Sequence, residues 1–194
     1  MLFRSGLFTP TELTGIVERI HANSNGQSER ATGAAAANLD LYQVNCTFYD
    51  ALGRHDAAYL TARAIQFFVP GIPQIYYVGL LAGGNDMELL AHTGVGRDIN
   101  RHYYNRTEID EAVERPVVRR LLELIRLRNT HPAFSGEFRF ESSSDEVLEM
   151  HWVSGPHFAR LQVDLPTSSS RIVYSQADRE AGVFVIAPST IGAS

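Results

Sequence analysis

The chain has 194 residues, 44% hydrophobic and 20% charged, a composition that can bury a core. Its net charge of −5 contains no basic run longer than Arg119-Arg120, which argues against nucleic acid and anionic membrane surfaces as partners. A single cysteine, Cys46, excludes an internal disulfide, and the opening MLFRSGLFTP has no secretory leader pattern, so a cytoplasmic protein is expected.

In chain order, Thr9-Pro10-Thr11-Glu12 is a capping box with proline at the first helical position. Leu13, Ile16, Val17 and Ile20 then recur at helical spacing, which predicts a helix to about Ala22. The stretch from Asn23 to about Asn38, rich in small polar residues and alanine, reads as a long surface loop. A second helix is expected from near Asp56 to just before Pro70, with Leu60, Ala64, Phe67 and Phe68 on one face.

From Ala64 to Gly84 there is no formal charge, near the length of a membrane span, but Pro70, Gly71 and Pro73 divide the segment into two short apolar pieces, which argues against one. Gln74–Leu81 reads instead as a strand buried on both faces, with Tyr76 and Tyr77 in the core. A polar stretch follows, with Thr107 and Asp110 placed to cap a short helix. Pro116 opens the last helix, whose apolar face is Val117, Val118, Leu121, Leu122, Leu124 and Ile125. Beyond about Ser135, EFRFE, EVLEMHWV, FARLQVDL, RIVY and GVFVIA form an antiparallel β module. A helix–strand–helix order with polar residues just after the strand suits a parallel α/β sheet or barrel, whose sites form at strand carboxyl ends.

The nine residues GRDINRHYY, Gly96–Tyr104, gather two arginines, an aspartate, a histidine and two tyrosines beside that apolar run. Together with NLDLYQVNCTFYDALG (Asn38–Gly53) and PGIPQIYYVGLLAGGNDMELL (Pro70–Leu90), this segment resembles the sucrose phosphorylase group of the α-amylase superfamily, glycoside hydrolase family 13. The resemblance implies an α/β fold, the C-terminal portion of a (β/α)8 TIM barrel at 1–134 followed by a small antiparallel β domain at 135–194. It implies retaining glucosyl transfer in which sucrose and inorganic phosphate give α-glucose 1-phosphate and fructose. The family's catalytic carboxylates lie on earlier barrel strands and match no residue here, so the chain by itself is expected to be inactive.

The resemblance also assigns substrate contacts. Arg97 matches a position that hydrogen-bonds glucose from the pocket rim, where a guanidinium presents fixed donors to adjacent hydroxyls. Asp40, Tyr42 and Gln43 match a mobile acceptor-site loop that meets fructose or admits phosphate. Without the resemblance, Arg97 would read as a surface arginine paired with Asp98 or Asp86, and Asp50 and Asp56 as turn and cap residues. Asp98, Asn100, Arg101 and His102 read as supporting residues. Seven histidines without paired ligand spacing and one cysteine give no expected metal site, and no cofactor is implied.

The alternatives are an α-glucoside hydrolase or transglucosidase, a phosphorylase of a related glucoside such as sucrose 6-phosphate or glucosylglycerol, and a non-catalytic module. A homodimer is a candidate assembly.

Overall fold

The computed structural model describes residues 8–36, 44–142, 144–176 and 179–187. The chain divides into two compact units, one made of Met1–His55 and Ile75–Glu114, the other of Asp56–Gln74 and Arg115–Ser194.

In the first unit, helix α1 (Pro10–Asn23) starts as its capping box requires, with Thr9 N–H and Oγ1 both donating to Glu12 Oε2 and Glu12 N–H donating to Thr9 Oγ1. The loop expected from Asn23 to Asn38 is in fact mostly a second helix, α2 (Gln27–Ala36), and that expectation is corrected. Alanine has the highest intrinsic helix propensity, so a run of small residues is a helix once tertiary contacts hold one face. Buried Ser24 and Ser28 share a 2.7 Å hydrogen bond at the α1–α2 junction, and Ala31 packs against Leu90 and Ile99.

The strand expected at Gln74–Leu81 is also absent. Residues 72–76 carry no regular structure, and Tyr77–Leu80 form a single helical turn, α5, closed by Leu80 N–H on Tyr76 O (2.9 Å). Periodicity alone cannot separate a short buried strand from a helical segment. A strand further needs a neighbour to take its backbone hydrogen bonds, and among the described residues no parallel ladder exists. Tyr76 and Tyr77 are correspondingly 55% and 40% exposed rather than core.

Short helices α3 (Phe48–Ala51) and α6 (Met87–Thr93), the 3-10 turn Gly96–Asn100 and α7 (Arg106–Glu114) complete this unit. The cap of α7 is Asn105 rather than Thr107: Glu108 N–H donates to Asn105 Oδ1 and Asn105 N–H to Glu108 Oε2.

The second unit follows the sequence closely. Helix α4 (Asp56–Phe68) buries Leu60, Ala64, Phe67 and Phe68, and α8 (Pro116–Thr130) buries Val117, Val118, Leu121 and Leu124. Both helices pack with a five-stranded antiparallel meander whose strands β1 (Glu137–Ser142), β2 (Val147–Ser154), β3 (His157–Asp164), β4 (Ser169–Gln176) and β5 (Arg179–Ile186) lie in chain order. Alternation sets the two faces. Met150, Trp152, Ala159, Leu161, Val163, Ile172, Phe184 and Ile186 point inward and are buried. The Trp152 indole N–H donates to Phe68 O (2.7 Å) and Thr61 Oγ1 meets Ser170 Oγ at 3.0 Å, whereas Arg128 Nε, stacked on the Phe134 and Trp152 rings, is buried without a partner among the described residues.

No helix among the described residues is long and apolar enough to cross a membrane.

Candidate functional site

The polar segments of the first unit form one connected scaffold. Thr47 caps α3 and fixes Asp50, whose side chain is buried. Asp50 Oδ2 accepts from Asn85 N–H at 2.6 Å and from Thr47 Oγ1 at 2.9 Å, and Oδ1 accepts from Arg54 Nε at 2.8 Å. Asn85 in turn accepts from Thr47 N–H (2.8 Å) and donates to Gln27 Oε1 (3.1 Å). The segment Gly83-Gly84-Asn85-Asp86 is thereby tied to α3 and α2. Its glycines allow the approach: a Cβ on Gly84 would lie 2.6 Å from Arg54 Nη2, and one on Gly83 would collide with the Tyr104 hydroxyl.

Asp86 continues the scaffold toward GRDINRHYY. Its N–H donates to Ile99 O (2.7 Å), its Oδ1 caps α6 through Leu89 N–H (2.7 Å), and its Oδ2 lies 2.6 Å from His102 Nδ1. The other ring nitrogen, Nε2, is 3.2 Å from Glu108 Oε1, the carboxylate that caps α7. Ionised carboxylates only accept, so both contacts favour the doubly protonated imidazolium.

Burial alone would lower the His102 pKa, but the hydrogen bonds to Asp86 and Glu108 outweigh it and the net shift is upward. For Asp86, burial pushes up, while the Leu89 N–H and His102 pull the carboxyl below its ordinary value. Glu108 is lowered by the Asn105 N–H and then by His102. Buried Ile99 anchors the 3-10 turn from beneath, and Tyr104 packs edge-on to His102 with ring centroids 4.5 Å apart. Tyr77 OH donates to His102 O (2.9 Å).

Arg97 stands exposed on this braced 3-10 turn. The partners that a surface-pair reading would give it are engaged elsewhere: Asp86 with His102, and Asp98 with Arg101 at 3.7 Å. No hydrogen bond or ion pair involves Arg97 among the described residues. Asp40, Tyr42 and Gln43 lie outside the described residues.

Two bracing residues of this scaffold escaped the sequence reading. Asp50, read as a turn residue, is a buried acceptor on which two segments converge, and Asn85 was not singled out at all. The Thr47-x-x-Asp50 spacing, a capping pattern just before an apolar run, was the available signal. Burial pushes the Cys46 thiol up to about 11, which disfavours the thiolate at neutral pH.

No protein-family model matches the chain. It is 59% identical over 172 residues to a sucrose phosphorylase of Agrobacterium vitis, covering 89% of this chain and 35% of that protein. It is 55% identical over 147 residues to a sucrose phosphorylase of Bifidobacterium adolescentis, covering 76% and 29%. A glucosylglycerol phosphorylase of Marinobacter adhaerens is 42% identical over 174 residues, 89% of this chain and 36% of the relative. The crystal structure of sucrose 6F-phosphate phosphorylase from Thermoanaerobacter thermosaccharolyticum superposes with a TM-score of 0.82 at 41% identity, over 93% of this chain and 36% of that one. The chain thus spans about a third of the length of these relatives. It belongs to the sucrose phosphorylase family, in a match consistent with the C-terminal part of such a chain.

Proposed function

We propose that this chain is the acceptor-side and rim portion of a sucrose phosphorylase, which converts sucrose and inorganic phosphate reversibly into α-glucose 1-phosphate and fructose by a retaining double displacement. The observation that carries this reading is the 59% identity to a sucrose phosphorylase, together with an exposed arginine that pairs with none of the described residues, on a turn braced from two sides.

In this reading residues 1–134 complete a (β/α)8 barrel and 135–194 form the β domain. Arg97 donates charge-assisted hydrogen bonds to the glucosyl hydroxyls. Asp40, Tyr42 and Gln43 form the acceptor loop. A carboxylate such as Asp40 accepts well from fructose hydroxyls but repels phosphate: two unit charges about 4 Å apart cost roughly 4 kcal/mol at an effective dielectric near 20. The loop therefore withdraws Asp40 when phosphate enters. The nucleophile and the acid/base, which a retaining mechanism holds about 5 Å apart, come from the remaining two thirds of the enzyme. The protein works in the cytoplasm, as a homodimer, without a cofactor.

The test is incubation of the full-length enzyme with sucrose and phosphate, following glucose 1-phosphate. Its rapid formation from sucrose is expected, with little from glucosylglycerol or sucrose 6-phosphate. Free glucose as the main product would make it a hydrolase, and preference for another glucoside would move it within the family. The 194 residues alone should give no turnover above a buffer blank.

A further inference from the structure

The outer face of the sheet carries a cluster that neither the family assignment nor the rim site uses. Glu149 and His151 are two apart on β2 and so share that face, and Glu141 on β1 lies directly opposite Glu149 in the register. One ligand atom from each falls within 4.8 Å of the other two. His151 Nε2 is 3.6 Å from Glu149 Oε2 and 3.9 Å from Glu141 Oε2. These separations are too long for direct N–H···O hydrogen bonds. They lie close to the roughly 3.4 Å that separates two ligands holding one tetrahedral ion at about 2.1 Å.

The surroundings orient the donors. Gln162 Nε2 donates to Glu149 Oε1 (2.8 Å), which fixes that carboxylate and leaves Oε2 as the oxygen near His151. Arg160 Nε is 2.9 Å from His151 Nε2 and 3.5 Å from Nδ1. A donor in line with the Nε2 lone pair would be far from Nδ1, across the ring, so Arg160 sits over the imidazole face and leaves the in-plane lone pair open. The His151 and Glu149 side chains are 13% and 16% exposed, whereas Glu141 on the edge strand is 58% exposed and gives an entry side. Arg139, opposite His151, has its Nη2 3.6 Å from Glu137. With Arg160 it offsets the two carboxylates, which sets a modest affinity.

We infer that Glu141, Glu149 and His151 form a site for one divalent transition-metal ion of the zinc class, completed by solvent, that ties edge strand β1 to β2. One imidazole with two carboxylates suits zinc-type ions better than magnesium or calcium, which take oxygen ligands. The expectation of no metal rested on cysteine and helical histidine patterns; on a strand the matching spacing is i, i+2 with a cross-strand partner.

The test uses the full 194-residue chain, stripped of metal, titrated with ZnCl2 by calorimetry and thermal unfolding, with MgCl2 and CaCl2 as comparison probes. One zinc per chain and a rise in Tm with zinc concentration are expected. His151→Ala and Glu149→Gln should each weaken binding roughly tenfold or more. Glu141→Gln, at an exposed edge where folding is least at risk, should weaken it too, while His157→Ala should leave it intact. No saturable binding, binding retained in the site variants, loss in His157→Ala instead, or magnesium binding as tightly as zinc would each overturn the assignment.

Discussion

The two compact units are held by different physics. The second is an apolar core: α4 and α8 bury aliphatic and aromatic side chains with one face of a meander whose strands all follow one another in sequence. The first buries fewer apolar side chains, and its loops are held by buried or half-buried polar groups, Asp50, Asn85, Asp86 and His102, whose partners are up to 58 residues away. An apolar core tolerates the loss of single contacts in proportion to area. A polar scaffold instead positions a group, as it does Arg97, and fails when one member leaves another unsatisfied.

The sharpest break of this contrast is Trp152→Ala. It removes the largest inward side chain of β2 and its bond to Phe68 O, and should cost about 3–5 kcal/mol, read from the urea midpoint of the second unit. A loss below about 1 kcal/mol would mean that the helices do not share this core.

Asp50→Ala comes next, at about 3 kcal/mol, because it strands the Asn85 N–H and the Thr47 hydroxyl; the exposed Arg54 adds little. Asp50→Asn should recover part of the loss. Equal stability of Asp50→Ala and the parent would show that the scaffold is not load-carrying.

Arg97→Ala should leave the Tm unchanged yet lower kcat/KM of the full-length enzyme by roughly 10-fold to 100-fold for every glucosyl donor. A change in Tm without a change in kcat/KM would assign Arg97 to the fold instead.

The smallest effect concerns pH. The folded-state pKa of His102 is raised, so its contribution is complete below the unfolded imidazole value near 6.5 and fades as pH climbs through the folded one. Asp86 and Glu108 are lowered, so theirs is complete above about pH 4.5 and fades as pH falls through their folded values. The clasp is strongest between these limits. His102→Gln should flatten the loss of stability on the alkaline side, and an unchanged stability–pH curve would refute the clasp.

The β module was legible because period-2 alternation and turn residues are local signals, and every strand pairs with its sequence neighbour. The capping box likewise announced α1, and proline at the first helical position announced α8. The run 72–81 and the stretch after Asn23 were misread because apolar content and small side chains suit several conformations, and only packing partners choose among them. Arg97, Asp40, Tyr42 and Gln43 are proposed as substrate contacts only through long motifs that resemble a family's, since no local periodicity marks them.

The amino-acid order by itself determined where helices begin, which strand faces turn inward, and to which family the chain belongs, since caps, alternation and extended motifs are properties of neighbouring residues. Tertiary structure alone decided that Asp50 collects donors from two segments, that His102 bridges two helix caps, that Arg97 stands exposed on a braced turn, and that Glu141 comes beside His151. Each of these depends on distances between residues that no local spacing encodes.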